Sequence, residues 1–416
     1  MSNTNTQNEN SANFLAPHEV MQQLANGSAR LVFRFLDKIQ HGSLHIVLPD
    51  GSLTRCGHGE PQATLHLRNW HVCEAVLKRG DIGFAETYMA GDWTSDDLAR
   101  LLDVLILNRN ALENMVYGTW WGSAYYRIKH WLQGNTRKQA RKNIQAHYDL
   151  GNDFYQLWLD PSMTYSSALF STQSNQTMDL QTAQTAKYQR ILDELQLPAQ
   201  AQVLEIGCGW GGFAELATQR GAQVLGLTLS TEQQRYAQAR LAQQGLQDKA
   251  DFCLQDYRDT HGQFDGIASI EMFEAVGEEY WPAYFSGVAR NLKPGARAVV
   301  QTITIADELF DRYRRSTDFI QQYIFPGGML PSPKKFREQA ERAGLQVVQE
   351  FAFGQDYANT LAQWRHQFMN QLDAVRAQGY DQRFINMWEF YLAYCESAFR
   401  QENTNVYQYT LRKPAA

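Results

Sequence analysis

The chain has 416 residues, a net charge of −6 at pH 7 and 44% hydrophobic residues. That length suffices for two domains with separate cores, and the acid excess gives no sign of a nucleic-acid binder, so no nucleic-acid partner is expected. No apolar run reaches the roughly 18–20 residues of a membrane span. The opening MSNTNTQNENSA is polar, with no basic start or apolar centre, which predicts a disordered tail over 1–14 rather than a signal peptide. Cys56, Cys73, Cys208, Cys253 and Cys395 are scattered without a CxxC pair, so neither a metal site nor a disulfide framework is expected, and a reducing cytoplasm fits.

Residues 17–25 carry a helical pattern, with Val20 and Leu24 four apart, and Asn26-Gly27 ends it. Over 31–39 two patterns coexist: Leu31, Phe35 and Ile39 fit a helix face, whereas Leu31, Phe33 and Phe35 alternate as in a strand. LHIVLPDGSLTRCG predicts a strand, an Asp-Gly turn and a second strand, and ATLHLRN a third. A helix over 70–78, a glycine-punctuated loop and helix over 80–93, and a helix over 96–107 complete an α+β unit spanning 15–112. The mixture is similar to sterol-carrier-like lipid-binding domains; a structural or dimerisation domain is the alternative. In the connector 113–145, Tyr117, Trp120, Trp121, Tyr125, Tyr126 and Trp131 interleave with Arg127, Lys129, Arg137, Lys138, Arg141 and Lys142. Rings at headgroup level beside cations suit an anionic lipid surface; packing of the aromatics between domains is the bland alternative.

From 146 to 416 the pattern alternates. Strands are expected at 203–206, 223–228, 251–255, 265–270 and 297–303, with helices at 182–195, 212–219, 231–244 and 279–291. This is the pattern of a mostly parallel α/β sheet covered by helices. A helix at 334–343, a strand at 346–353, a helical aromatic tail over 357–399 and a closing strand in NVYQYTLRKP follow. In VLEIGCGWGGFAELA, Gly207, Gly209, Gly211 and Gly212 separate a buried strand from a helix, a turn that brings backbone N–H groups to a ligand. A dinucleotide site would place Asp or Glu at the end of the next strand, but QVLGLTLS ends in Thr228-Leu229-Ser230. Asp256 after the third strand could accept from an adenine amino group, which suits S-adenosylmethionine; these features leave both ligands open.

The motifs HYDLGNDFY, MTYSSALF, VLEIGCGWGG, GLTLSTEQ, DYRD, EMFEAVGEEY, YIFPGGMLPS, DYANTLAQW and YCESAFR span the second domain, and GFAETYMAGDW lies in the first. Together they resemble the cyclopropane-fatty-acyl-phospholipid synthases and their mycolic-acid relatives. The resemblance implies a Rossmann-like class I methyltransferase fold, S-adenosylmethionine as methyl donor, an unsaturated membrane phospholipid as substrate and a homodimer. It also implies a cytoplasmic location with peripheral attachment to the membrane. The implied cofactor-side residues are Tyr165, Ser166, Glu205, Gly207, Cys208, Gly209, Thr228, Leu229, Ser230, Gln233, Asp256 and Tyr257.

An isolated alkene is a poor nucleophile, so the sulfonium methyl must be held in line with it. Methyl transfer leaves a carbocation, and proton loss from the new methyl closes a ring. The site therefore needs an apolar cavity, ring faces to meet the cation, and a base. Tyr148, Tyr165 and Tyr357 are the candidate rings. The resemblance implies a bound bicarbonate as base, held by Ser167, Glu274, Gln301, the amide of Ile303 and Tyr357. Ser167 and Gln301 replace the family's Cys and His, keep hydrogen-bonding ability and remove a titratable group. Cys395 matches a cysteine of the family's site, although the chemistry requires no covalent intermediate. A hydride shift before proton loss would instead give a methylene- or methyl-branched chain. A lipid-transfer protein that kept the fold without catalysis, and a small-molecule N-methyltransferase, are the remaining alternatives.

Overall fold

Leu24 closes the first helix, and Asn26 begins the next. Its side-chain oxygen accepts from the N–H groups of Ser28 and Ala29 at 2.9 and 3.2 Å, so α2 (Gly27–Leu36) starts just after α1 (Pro17–Gln23). Ala29, Val32, Phe33 and Leu36 turn inward at helical spacing, which settles the ambiguous 31–39 stretch as mostly helix. The computed structural model describes residues 14–116, 150–170 and 178–415. The polar tail through residue 13, the connector from 117 and Tyr148 lie outside the described residues.

The chain divides into two compact units, Met1–Gly122 and Ser123–Ala416. In the first, β1 (Gly42–Val47) pairs antiparallel with β2 (Leu53–His58) and parallel with β3 (Gln62–Leu67), and β4 (Trp93–Ser95) closes the order β2-β1-β3-β4. The two helical stretches expected over 70–93 form one element, α3 (His71–Ala90). It kinks at Gly80, whose φ of 59° and ψ of −133° lie outside the helical range. α4 (Leu98–Leu107), capped by Asp97, and α5 (Arg109–Val116) follow.

The second unit is the alternating one. After α6 (Asn152–Gln156) and α7 (Leu180–Leu195) come β5 (Gln202–Ile206), α8 (Gly212–Gln219), β6 (Gln223–Thr228), α9 (Thr231–Gln243), β7 (Ala250–Leu254) and β8 (Phe264–Ile270). Next are α10 (Trp281–Asn291), β9 (Leu292–Ile305), α11 (Asp307–Tyr313), α12 (Pro333–Arg342) and β10 (Gln346–Ala352). The tail forms α13 (Gly354–Asn370), α14 (Leu372–Ala377), α15 (Gln382–Arg400) and β11 (Thr404–Arg412). The sheet order is β10-β11-β9-β8-β5-β6-β7, parallel from β9 to β7, with β11 antiparallel to both its neighbours. Val203, Ala268 and Val299 enter one core and Leu204, Ile267 and Val300 the other, so β5, β8 and β9 are buried on both faces. Strand order reverses at β5, which opens a crevice at the carboxyl ends of β5 and its neighbours. Among the described residues, no helix is long and apolar enough to cross a membrane.

Candidate active site

A cavity of about 330 Å³ lies in that crevice, walled by the segments that follow β5, β6, β7 and β8 and by α13 and α15. Its first half is built from backbone. The loop after β5 is tied to β6 by the N–H groups of Gly207 and Cys208, which both donate to the Leu227 carbonyl, at 3.0 and 2.8 Å. Gly207 has φ +84°, and a Cβ there would sit 2.9 Å from Cγ of Met272, so glycine is required twice over. Glu205, on β5, is buried; its Oε2 has no hydrogen-bond partner among the described residues, and burial pushes its pKa well up, opposed by Arg240. A cationic ligand in the cavity would restore its charge.

Thr228 and Leu229 reach the cavity wall, and Thr228 Oγ1 donates to Gln233 Oε1 at 2.9 Å. Ser230, expected among the ligand contacts, instead caps α9 by accepting from Gln233 N at 3.3 Å, and it is absent from the wall. Asp256 and Tyr257 lie on the wall. Arg258 donates to both carboxylate oxygens of Asp256, Nε at 2.9 Å and Nη2 at 2.6 Å, which orients that carboxylate. Cys208 lines the cavity; burial, then Glu205, raises its thiol pKa well above normal, so it contributes shape rather than a thiolate.

The other half centres on Glu271. At the end of β8 its backbone is left-handed, φ +49°, in a non-glycine residue, a strain of about 1–3 kcal/mol that its surroundings must overcome. Its N–H donates to the Gln301 carbonyl at 2.8 Å. Its half-buried carboxylate accepts three bonds: Ser167 N at 2.8 Å and Gln301 Nε2 at 2.7 Å on Oε1, and the Tyr357 hydroxyl at 2.7 Å on Oε2. Thus Ser167, Gln301 and Tyr357 come together as expected, but around a protein carboxylate. Ser167 also contributes its N–H rather than its hydroxyl, which donates to the Ala168 carbonyl.

Glu274, one 3-10 turn further on, accepts from Thr302 Oγ1 at 3.0 Å and from the Ile303 N–H on the same oxygen. Its Oε2 is buried without a hydrogen-bond partner among the described residues. Burial and then the Glu271 charge push Glu274 up to about 8. Burial raises the pKa of Glu271 as well, opposed by Lys187 and then by the Ser167, Tyr357 and Gln301 donors, whereas Glu274 has the Glu271 charge against its ionisation. Lys187 is fully buried on α7 and donates to Ser166 Oγ and Gln184 Oε1, both at 2.6 Å. Its pKa is lowered by burial and supported by Glu271 and Asp160.

Around these carboxylates the wall is aromatic. Tyr165, Tyr357, Tyr391, Tyr394, Phe325 and Phe399 face the cavity, and the Tyr165 and Tyr391 hydroxyls meet at 2.6 Å. Tyr165 packs against Tyr155, Trp158 and Trp364, at centroid distances of 5.4, 5.6 and 5.4 Å. Cys395 lines the same wall; burial and then Asp318 raise its thiol pKa, which argues against a thiolate nucleophile. Residues 320–324 form a π-helical turn beside the cavity, contributing Ile320 and Gln321 to its wall.

The model of the mycolic acid cyclopropane synthetase family matches residues 135–409. The chain belongs to this family. It is 38% identical to the tuberculostearic acid methyltransferase UfaA1 of Mycobacterium tuberculosis, over 93% of this chain and 92% of that one. It is 35% identical to the cyclopropane-fatty-acyl-phospholipid synthase of Escherichia coli, over 86% of this chain and 90% of that one. The solved mycolic acid cyclopropane synthase CmaA1, in complex with SAH and CTAB, superposes with a TM-score of 0.61 at 32% identity, covering 66% of this chain and 98% of that one. The protein is an S-adenosylmethionine-dependent methyltransferase of the cyclopropane synthase family with a class I methyltransferase fold.

Within this family site, sequence reasoning missed Glu271, Lys187 and Tyr391. Glu271 did carry a signal: a carboxylate at the carboxyl end of a buried parallel strand, inside EMFEAVGEEY. Lys187 and Tyr391 carried none, because a lysine or tyrosine in a helical repeat looks the same whether or not another element covers it.

Proposed function

We propose that this enzyme alkylates the cis double bond of an unsaturated phospholipid acyl chain and, by proton loss, closes a cyclopropane ring. The observation that carries this is the half-buried Glu271 carboxylate, held by three donors in an aromatic cavity beside the glycine loop. S-adenosylmethionine supplies an electrophilic methyl on a sulfonium. Gly207 and Gly209 let the donor approach the backbone, Glu205 offers a carboxylate to its positive charge, and Asp256 accepts from its adenine. The faces of Tyr165, Tyr357 and Tyr391 meet the positive charge that develops on the acyl chain without bonding to it. Glu271 accepts the proton, and the electrons of the broken C–H bond close the ring. It accepts from three of the five residues that the resemblance assigns to bicarbonate, Ser167, Gln301 and Tyr357, which supports a base carried by the chain itself.

A methyl- or methylene-branched product is the second reading, supported by the 38% identity to the tuberculostearic acid methyltransferase over 93% of this chain. One experiment addresses both. Purified enzyme, labelled donor and liposomes of unsaturated phospholipid should give labelled lipid at the same rate with bicarbonate removed or added. Mass spectrometry should show a gain of one methylene and no ozone-cleavable double bond. A retained double bond means the branched product; a requirement for bicarbonate removes Glu271 from the base role; no label despite donor binding sinks the enzymatic reading. The basic-aromatic connector is proposed to hold the enzyme at anionic membrane. Its residues from 117 lie outside the described structure, so this rests on sequence.

A further inference from the structure

The base does not stand alone: three side chains from three elements lead from it toward the surface. Gln301 on β9 and Gln408 on β11 face each other across the antiparallel register, and both are fully buried. Gln408 Nε2 donates to Gln301 Oε1 at 2.9 Å, and Gln408 Oε1 accepts from Arg190 Nη1 at 2.6 Å. Arg190, on α7, is partly exposed, lies 3.5 Å from Glu194 and stacks on Phe351 with its guanidinium carbon 4.1 Å from the ring centroid.

A guanidinium has donors only, and an ionised carboxylate has acceptors only. Two primary amides in series between them can be arranged in one way. Arg190 claims the oxygen of Gln408, which turns its N–H to Gln301, whose own N–H is thereby aimed at Glu271. A carboxylate enforces this order only while it is charged; once it takes a proton, nothing at that end stops Gln301 from turning. Arg190 keeps its proton throughout the working pH range and so holds the order in both states.

We infer that Arg190 is a positioning residue for the base: through Gln408 it locks the Gln301 N–H onto Glu271 and favours the ionised carboxylate. This rests on Glu271 acting as the base. The charged or titratable groups facing Glu271 are Lys187 from α7, Tyr357 from α13 and Glu274 from its own loop; all three are kept in the variants below.

The test is the pH dependence of kcat for labelled-methyl incorporation into phospholipid liposomes, with S-adenosylhomocysteine affinity measured in parallel. Arg190→Met removes the anchor, and Gln408→Leu breaks the chain while keeping the arginine charge. Both should move the ascending limb to higher pH by about half a unit or more, because a carboxylate that loses a donor binds its proton more tightly. Arg190→Lys, which can still donate to Gln408, should return the limb toward that of the parent. Were Arg190→Met to fail to fold, Gln408→Leu would decide alone. A uniform fall in kcat with an unmoved limb, or a profile unchanged from the parent, overturns the inference. Glu271→Gln separates the two levels: if it keeps full turnover, the base reading fails and takes this inference with it. If it loses turnover while the limb in Gln408→Leu stays put, only the role of Arg190 fails.

Discussion

The two halves of the cavity are made by different means. The donor half is local: β5, its glycine loop, the end of β6 and the turn after β7 build it from backbone carbonyls, N–H groups and glycines. The acceptor half is assembled from distant places: Glu271 is bonded by Ser167, Gln301 and Tyr357, which lie 104, 30 and 86 residues away. A donor shared by many reactions can be met by a recurring loop. The Glu271 carboxylate is set among aromatic rings, and only long-range packing places it there.

The contrast can be broken most sharply at Glu271. Glu271→Gln keeps shape but cannot take a proton; it should lower kcat by about 10²–10⁴-fold while S-adenosylhomocysteine affinity stays within about twofold. Parallel loss of both in titration calorimetry and turnover assays would mean that the halves are not separable. The converse variant is Gly207→Ala, whose Cβ would meet Met272 at 2.9 Å in a left-handed backbone. It should weaken donor binding by at least about tenfold, and an unaltered affinity would show that the loop tolerates a side chain.

A third effect is on stability. Glu274 ionises near 4.5 when unfolded but near 8 in the fold, so unfolding releases a proton between those values. Its contribution is complete below about pH 4.5 and is lost as pH rises toward 8, at up to about 1.4 kcal/mol per unit. Denaturant midpoints measured from pH 5 to 8 should fall more steeply for the parent than for Glu274→Gln; equal slopes would show that Glu274 is ionised in the fold. The smallest effect belongs to the connector. Changing Arg137, Lys138, Arg141 and Lys142 together to Ala should loosen co-sedimentation with anionic vesicles, most at low salt, and leave cavity chemistry intact. Unchanged sedimentation would remove its membrane role.

Much of this was legible before folding. The strands from 203 to 303 and the helices between them follow from apolar runs and their punctuation, because strands buried on both faces must be continuously apolar. The glycine loop is legible for the same reason: its requirements are met within one short segment. The motif EMFEAVGEEY also announced a functional turn, and of its two leading carboxylates Glu274 was singled out.

What the sequence could not supply is the assignment of charge. Whether Glu271 or Glu274 carries the proton depends on which donors reach each carboxylate, and those donors come from β9, α13 and the loop after α6. Ser230 shows the same limit, since a serine after a strand can touch a ligand or cap the next helix, and the geometry gave it to α9. Residue identity set the fold and the donor site, because apolar periodicity and glycine freedom act over a few neighbours. Only tertiary structure decided which donors meet which carboxylate, because the proton affinity of such a group depends on desolvation and on partners brought from across the chain.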